Sequence, residues 1–102
     1  MLKPSRQSRV TVFVDDGCNA LALINEDTAK QLSLQFFTLS ELIPIFYASG
    51  QSSPAGPIRF KTQPLILDIG GHREAISFLI TQITHPILLG LPWMQLHNPL
   101  VN

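Results

Sequence analysis

The sequence predicts a mainly β domain with one or two short helices. Three observations lead to this prediction: short apolar or β-branched runs, turn residues between them, and a length of 102 residues, which suits a single domain. Hydrophobic residues make up 45% of the chain and charged residues 14%, a balance that excludes a disordered segment. A chain this short builds only a modest core, so a partner subunit would add to its stability.

The charge balance argues against a nucleic-acid partner. The chain has 7 basic and 7 acidic residues, and its lysines and arginines form no cluster. Phosphate binding needs a concentrated positive patch, so no nucleic-acid binding is expected. No apolar stretch approaches the length that spans a bilayer, and no signal peptide or membrane anchor is expected. Residues 1–9 are expected to form a flexible tail, and residues 10–102 the folded domain.

The cysteine and histidine content indicates where the protein resides and which cofactors it lacks. Cys18 is the single cysteine and cannot form an internal disulfide, which fits a reducing compartment. An intracellular location, cytoplasmic or nuclear, is therefore expected. The histidines are scattered without metal-ligand spacing, so neither a metal nor another cofactor is expected.

Two short strands are predicted around the first turn of the chain. Residues 9–14 are β-branched and apolar and predict a strand that runs into Asp15. Residues 16–19 are typical of a turn, in which Gly17 can adopt backbone angles that other residues avoid. Residues 20–24 form the second apolar run.

A short helix is predicted over residues 26–32, with Asn25 as its N-cap. Glu26 and Asp27 favour this start because acidic side chains stabilise the positive end of the helix dipole.

Two hairpins are predicted in the middle of the chain. Residues 36–47 are apolar with a break at Pro44, and the loop-like residues 48–57 are expected to form the tip of a long hairpin. Residues 64–69 and 74–80 alternate in hydrophobicity around Gly70-Gly71-His72, which predicts a second hairpin.

The last part of the chain predicts a buried strand and a brief helix. The run Ile87-Leu88-Leu89-Gly90 indicates the strand, and residues 91–97 the helix, with Pro92 tolerated in its first turn. Trp93 is expected to be a core or interface anchor. Residues 98–102 are expected to be extended.

The tripeptide Asp15-Asp16-Gly17 is the strongest chemical signal, although alone it is weak. Aspartates in such turns commonly bind their own backbone. The context adds specificity: a Gly-containing hairpin tip follows, and an apolar-apolar-Gly strand with a short helix closes the domain.

Three stretches together carry a resemblance to a known family. They are residues 14–32 with the Asp-x-Gly turn, residues 48–58 with the Gly-containing loop, and a closing segment made of residues 73–78 and residues 85–99, the latter reading HPILLGLPWMQLHNP. In these stretches the chain resembles the retropepsin-like aspartic protease domain of gypsy-type retrotransposons, particularly fungal ones. This resemblance implies an all-β, closed barrel with a flap hairpin and a short C-terminal helix.

The resemblance also implies an activity and its residues. The expected activity is an aspartic endopeptidase that works as a homodimer and cleaves a retrotransposon polyprotein. Each copy would contribute Asp15, and the two carboxylates would share a proton and activate a water. The other implied site residues are the active-site turn Asp16, Gly17 and Cys18; the substrate-binding flap Ala48, Ser49, Gly50 and Gln51; and the supporting segment Leu88, Leu89 and Gly90.

The sequence departs from the family at Asp16, where Ser or Thr is usual. An ionised carboxylate only accepts hydrogen bonds, whereas the hydroxyl donates as well. This departure leaves a second function open: an inactive retropepsin-fold module that serves dimerisation or peptide binding. A third, a plain β-barrel binding domain, applies only if the resemblance is accidental.

Overall fold

The computed structural model describes residues 7–15, 21–44, 56–90 and 92–93. Its elements, in chain order, are β1 (Val12–Asp15), β2 (Ala22–Asn25), α1 (Glu26–Gln31), β3 (Phe36–Ile43), β4 (Ile58–Thr62), β5 (Leu65–Ile69), β6 (His72–Ile76), β7 (Leu79–Thr81) and β8 (Ile87–Gly90). The prediction of a mainly β domain with little helix is confirmed.

The strands form two sheets. The larger has 6 strands in the order β1-β8-β2-β7-β4-β3, and β5 pairs with β6 in the smaller. In the larger sheet β8 runs parallel to β1 and antiparallel to β2, while β2 runs parallel to β7. Over the ranges described above, β1 and β3 are the edge strands and the sheet does not close into the expected barrel.

Helix α1 starts where the sequence predicts. The Asn25 side chain accepts a hydrogen bond from the Thr28 backbone N–H at 3.0 Å, which confirms the N-cap. The helix ends at Gln31, and Ser33 follows with a left-handed φ of 58°. Its buried residue, Ala29, packs in the core beside β2 and β7.

The strands that flank the predicted long hairpin tip are antiparallel neighbours. Phe36 of β3 is opposite Thr62 of β4, and Ile43 is opposite Ile58, with a bulge or irregularity between Thr38 and Ile43. This pairing is what a hairpin requires. The flap residues predicted for its tip, Ala48, Ser49, Gly50 and Gln51, lie outside the described residues.

The second predicted hairpin is present as β5 and β6. Gly70 and Gly71 have φ of 55° and 84°, the positive values that a tight two-residue hairpin turn needs. The predicted boundaries need correction, however. His72 begins β6 rather than belonging to the turn, and residues 74–80 are not one strand, because β6 ends at Ile76 and β7 belongs to the larger sheet.

The break between β6 and β7 has a clear cause in hydrogen bonding. Thr62 donates its backbone N–H to the Phe78 carbonyl at 2.9 Å, and its hydroxyl accepts from the Phe78 N–H at 3.0 Å. These bonds turn the backbone away from β5 and lead it to β4.

The core consists of two clusters of buried residues. The first contains Ala22, Ile24, Ala29, Ile76, Phe78, Ile80, Ile87 and Leu89. The second contains Leu23, Ile58 and Leu88. Strands β2 and β8 contribute to both clusters, so both faces of these two strands are covered. Central strands buried on both faces read as continuous apolar runs, as β8 does.

Candidate active site

Asp15 is the last residue of β1, and its backbone lies beside Gly90. The two strands pair in parallel from Val12 opposite Ile87 to Asp15 opposite Gly90. Asp15 and Gly90 are far apart in the sequence. The candidate catalytic residue and the end of the predicted supporting segment therefore meet where the paired strands β1 and β8 both end.

The segment Leu88-Leu89-Gly90 is the best-buried part of this region. Leu89 is 0% exposed and Leu88 7%, and they belong to the first and second core clusters respectively. The Gly90 N–H donates to the Leu21 carbonyl at 3.0 Å, which fixes the end of β8 to the chain entering β2. Dense packing on both faces makes β8 a rigid neighbour for β1.

Asn25 holds the other end of β8. Its backbone N–H donates to the Pro86 carbonyl at 2.8 Å, and its side-chain Nδ2 donates to the Ile83 carbonyl at 2.6 Å. Sequence reasoning identified Asn25 only as a helix cap. The residue type could have indicated this second contact. When an asparagine caps a helix with its side-chain oxygen, its NH2 group can still donate to another partner.

The outer strand β1 is also held by a ring contact. The Phe13 ring stacks on His85 with centroids 3.6 Å apart and an interplanar angle of 25°. Phe13 is 43% exposed and Val14 52%, so the strand before Asp15 presents apolar surface on both sides. The stack ties this strand to the turn that precedes β8.

Trp93 links the end of the described chain to the small sheet. Its indole Nε1 donates to Glu74 Oε1 at 2.5 Å, and its ring packs against the first core cluster. His72 Nε2 lies 3.6 Å from the same carboxylate oxygen. The expectation of Trp93 as a core anchor agrees with this packing, whereas sequence reasoning assigned no role to Glu74.

The remaining predicted site residues are beyond what the structure describes. Asp16, Gly17 and Cys18 of the active-site turn lie outside the described residues. In the described parts of the chain, no group of His, Cys, Asp and Glu side chains is placed to hold a metal ion. Nor do those parts contain a helix with the length and apolar character needed to cross a membrane.

The chain was compared with models of known protein families. A family model described as the PEG10/RTL1 protease domain matches residues 11–102. It represents a retropepsin-like domain from gypsy-derived retrotransposon genes, in agreement with the resemblance. The match does not support a fungal source.

Proposed function

This chain belongs to the PEG10/RTL1 protease domain family, and from that membership we propose that it is an aspartic endopeptidase acting as a homodimer. The observation that carries the proposal is the register of β1 and β8, which sets Asp15 beside Gly90 at the end of a strand buried on both faces. The Asp15 backbone is thereby paired with a rigid strand, and catalytic residues need such a scaffold.

The proposed chemistry needs two carboxylates. The chain has two Asp-x-Gly tripeptides, but Asp68-Ile69-Gly70 leads into the β5–β6 hairpin turn, where Asp68 pairs with Arg73, so one copy supplies only Asp15 to the site. Two copies related by a two-fold axis would supply the pair. Because like charges at close range do not both ionise readily, the two Asp15 side chains would share one proton and titrate as a unit.

Each group of the pair has a distinct part in the reaction. The ionised Asp15 accepts a proton from the lytic water, whose oxygen attacks the scissile carbonyl carbon. The protonated Asp15 donates to the carbonyl oxygen, which gives a tetrahedral diol. When the diol collapses, the C–N bond breaks and one Asp15 gives its proton to the leaving amine. The other Asp15, then ionised, takes a proton from a diol hydroxyl as the carboxylic acid forms, which restores the singly protonated pair.

The remaining parts of the proposal follow the family pattern. In this proposal a short C-terminal helix follows β8, and residues 48–51 act as a flap that covers the substrate and excludes water. The substrate is an extended segment of a retrotransposon-type polyprotein, bound as an added strand. The protein acts inside the cell.

Asp16 favours a second candidate, an inactive module of the same fold that serves dimerisation or peptide binding. Two further carboxylates beside the Asp15 pair would add like charge where the pair already repels itself. If the module is nevertheless active, its activity should be highest at acidic pH, where Asp16 is protonated and can donate a hydrogen bond.

Cleavage of a peptide library by the purified protein, from acidic to neutral pH, tests both candidates. Asp15→Asn is the matched control, and a protease should cleave only with Asp15 intact. No cleavage at any pH, together with a dimer in sedimentation, would reject the protease in favour of the inactive module. Asp16→Ser should raise activity at neutral pH if Asp16 is what limits it.

A further inference from the structure

The strand β8 is fixed at both of its ends. At its start, Asn25 binds the carbonyls of Ile83 and Pro86. At its end, the Gly90 N–H binds the Leu21 carbonyl. Trp93 follows shortly after and is itself bound to Glu74. Gly90 lies opposite Asp15, so the chain that follows the Asp15 neighbour is attached to β6 through Trp93.

The contact between Trp93 and Glu74 has the character of a structural anchor. An indole N–H packed against the core needs an acceptor, and Glu74 Oε1 supplies one. The Glu74 side chain is only 22% exposed, so the interaction is partly shielded from water. Glu74 lies on β6 opposite Leu67, and the contact therefore connects the small sheet to the chain that leaves the large one.

We infer that Glu74 is a positioning residue for the Asp15 site. By holding the Trp93 indole it fixes the path of the chain after Gly90, and through the pairing of Gly90 with Asp15 it fixes the end of β1. This inference rests on the proposed function for its catalytic consequence, whereas its structural consequence is measurable in an inactive protein as well.

His72 is not required for this role. Its Nε2 lies 3.6 Å from Glu74 Oε1, beyond good hydrogen-bond distance, and its side chain is 47% exposed. The indole bond is the shorter contact to the same oxygen. What matters at position 74 is therefore an acceptor for the indole, not a negative charge beside a histidine.

Three substitutions show whether Glu74 acts as a hydrogen-bond acceptor or through its negative charge. Glu74→Gln keeps a carbonyl oxygen and removes the charge, and Glu74→Leu removes both. Asp68→Asn makes the same charge change on the same hairpin, at an exposed residue paired with Arg73. Glu74→Leu should lower kcat about tenfold with KM within about twofold, because the partly buried indole N–H loses the acceptor at position 74. Glu74→Gln and Asp68→Asn should stay close to the unmodified protein.

Amide hydrogen exchange provides the readout that does not depend on activity. In Glu74→Leu, the Gly90 amide and the β1 amides that bond to β8 should exchange about tenfold faster, while those of β4 keep their rates. A merely destabilised protein would exchange faster throughout. Trp93 is the only tryptophan, so its fluorescence should also shift in Glu74→Leu and not in Asp68→Asn.

Trp93→Phe gives a second route if Glu74→Leu fails to fold, because it removes the N–H donor and keeps a ring. It should reproduce the exchange pattern, and adding Glu74→Leu to it should cause little further change. Equal damage from Glu74→Gln and Glu74→Leu, or unchanged exchange at β1 and β8, would overturn the inference. A local exchange effect in a protein that cleaves nothing would support the positioning and reject the protease.

Discussion

Strands β8 and β3 belong to the same sheet, yet they have opposite characters. All 4 residues of β8 are buried, whereas none of the 8 residues of β3 is, and Phe37 and Leu42 of β3 are exposed. The short strand has neighbours on both sides and lies beside Asp15, while the long one forms an edge. How firmly a strand of this sheet is held therefore depends on whether both of its faces are covered, and not on its length.

The strongest test of this difference between β8 and β3 is to shorten one leucine side chain on each strand. Leu89→Ala should lower the free energy of unfolding by about 2–5 kcal/mol, because it leaves a cavity at a residue that is 0% exposed. Leu42→Ala, at a residue that is 53% exposed, should cost less than about 0.5 kcal/mol. Urea denaturation at one fixed protein concentration measures both. Equal costs would show that the two strands do not differ as described.

A second substitution examines the anchor at the start of β8. Asn25→Asp keeps the oxygen that caps α1 and replaces the Nδ2 donor to Ile83 by an acceptor. The unpaired carbonyl and the facing carboxylate should cost about 1–3 kcal/mol of unfolding free energy. Asn25→Ser is a suitable control, since serine also caps well and brings no charge. A stability for Asn25→Asp equal to that of the unmodified protein would show that the Ile83 contact contributes nothing.

A substitution in the β5–β6 turn should cost an amount of unfolding free energy between those expected for β8 and β3. Gly71 has a φ of 84°, and no atom lies within 4 Å of an added Cβ, so any cost of Gly71→Ala is conformational rather than steric crowding. We expect about 1–2 kcal/mol, the cost of placing an L-residue in a left-handed conformation. Gly71→Asn should cost less, because asparagine tolerates this region. Thermal unfolding of both variants measures the difference, and equal losses would contradict the conformational explanation.

The smallest effect is expected on the exposed face of α1. Lys30 and Glu26 form an ion pair at 3.1 Å, and the Lys30 side chain is 62% exposed. Lys30→Gln should cost about 0.3–0.5 kcal/mol at low salt, and high salt should reduce the difference because exposed pairs are screened. A loss of more than about 1 kcal/mol would indicate a role for Lys30 beyond this surface pair.

Local signals were sufficient for the parts of the fold that local chemistry decides. Asn25 and the acidic first turn predicted α1, and the glycine pair predicted the β5–β6 turn. The break after Ile76 was missed because the alternation of Ile76, Phe78 and Ile80 continues through it, and all three enter one core cluster. Alternation reports which side chains are buried, and it does not report which sheet the backbone joins.

The candidate site shows the same division. Asp15 was predicted from its motif and remains a prediction, whereas the parallel pairing of β1 with β8 is decided by packing between distant segments. No local pattern predicts it, and only the resemblance suggested that Leu88-Leu89-Gly90 supports the site. The contact of Glu74 with Trp93 was not predicted for a different reason: an acidic residue on an alternating strand is typical of a solvent-facing position.

The strand order also has a consequence during synthesis of the protein. In the described part of the chain, β1 pairs only with β8, and the partners of β2 are β7 and β8. Pairings over such long sequence separations form late, because the loop entropy must be overcome before the contacts form. A nascent chain can pair β3 with β4 early, but Asp15 acquires its neighbour only after Gly90 has left the ribosome. The pairing that places Gly90 beside Asp15 therefore cannot form until most of the described chain has been synthesised.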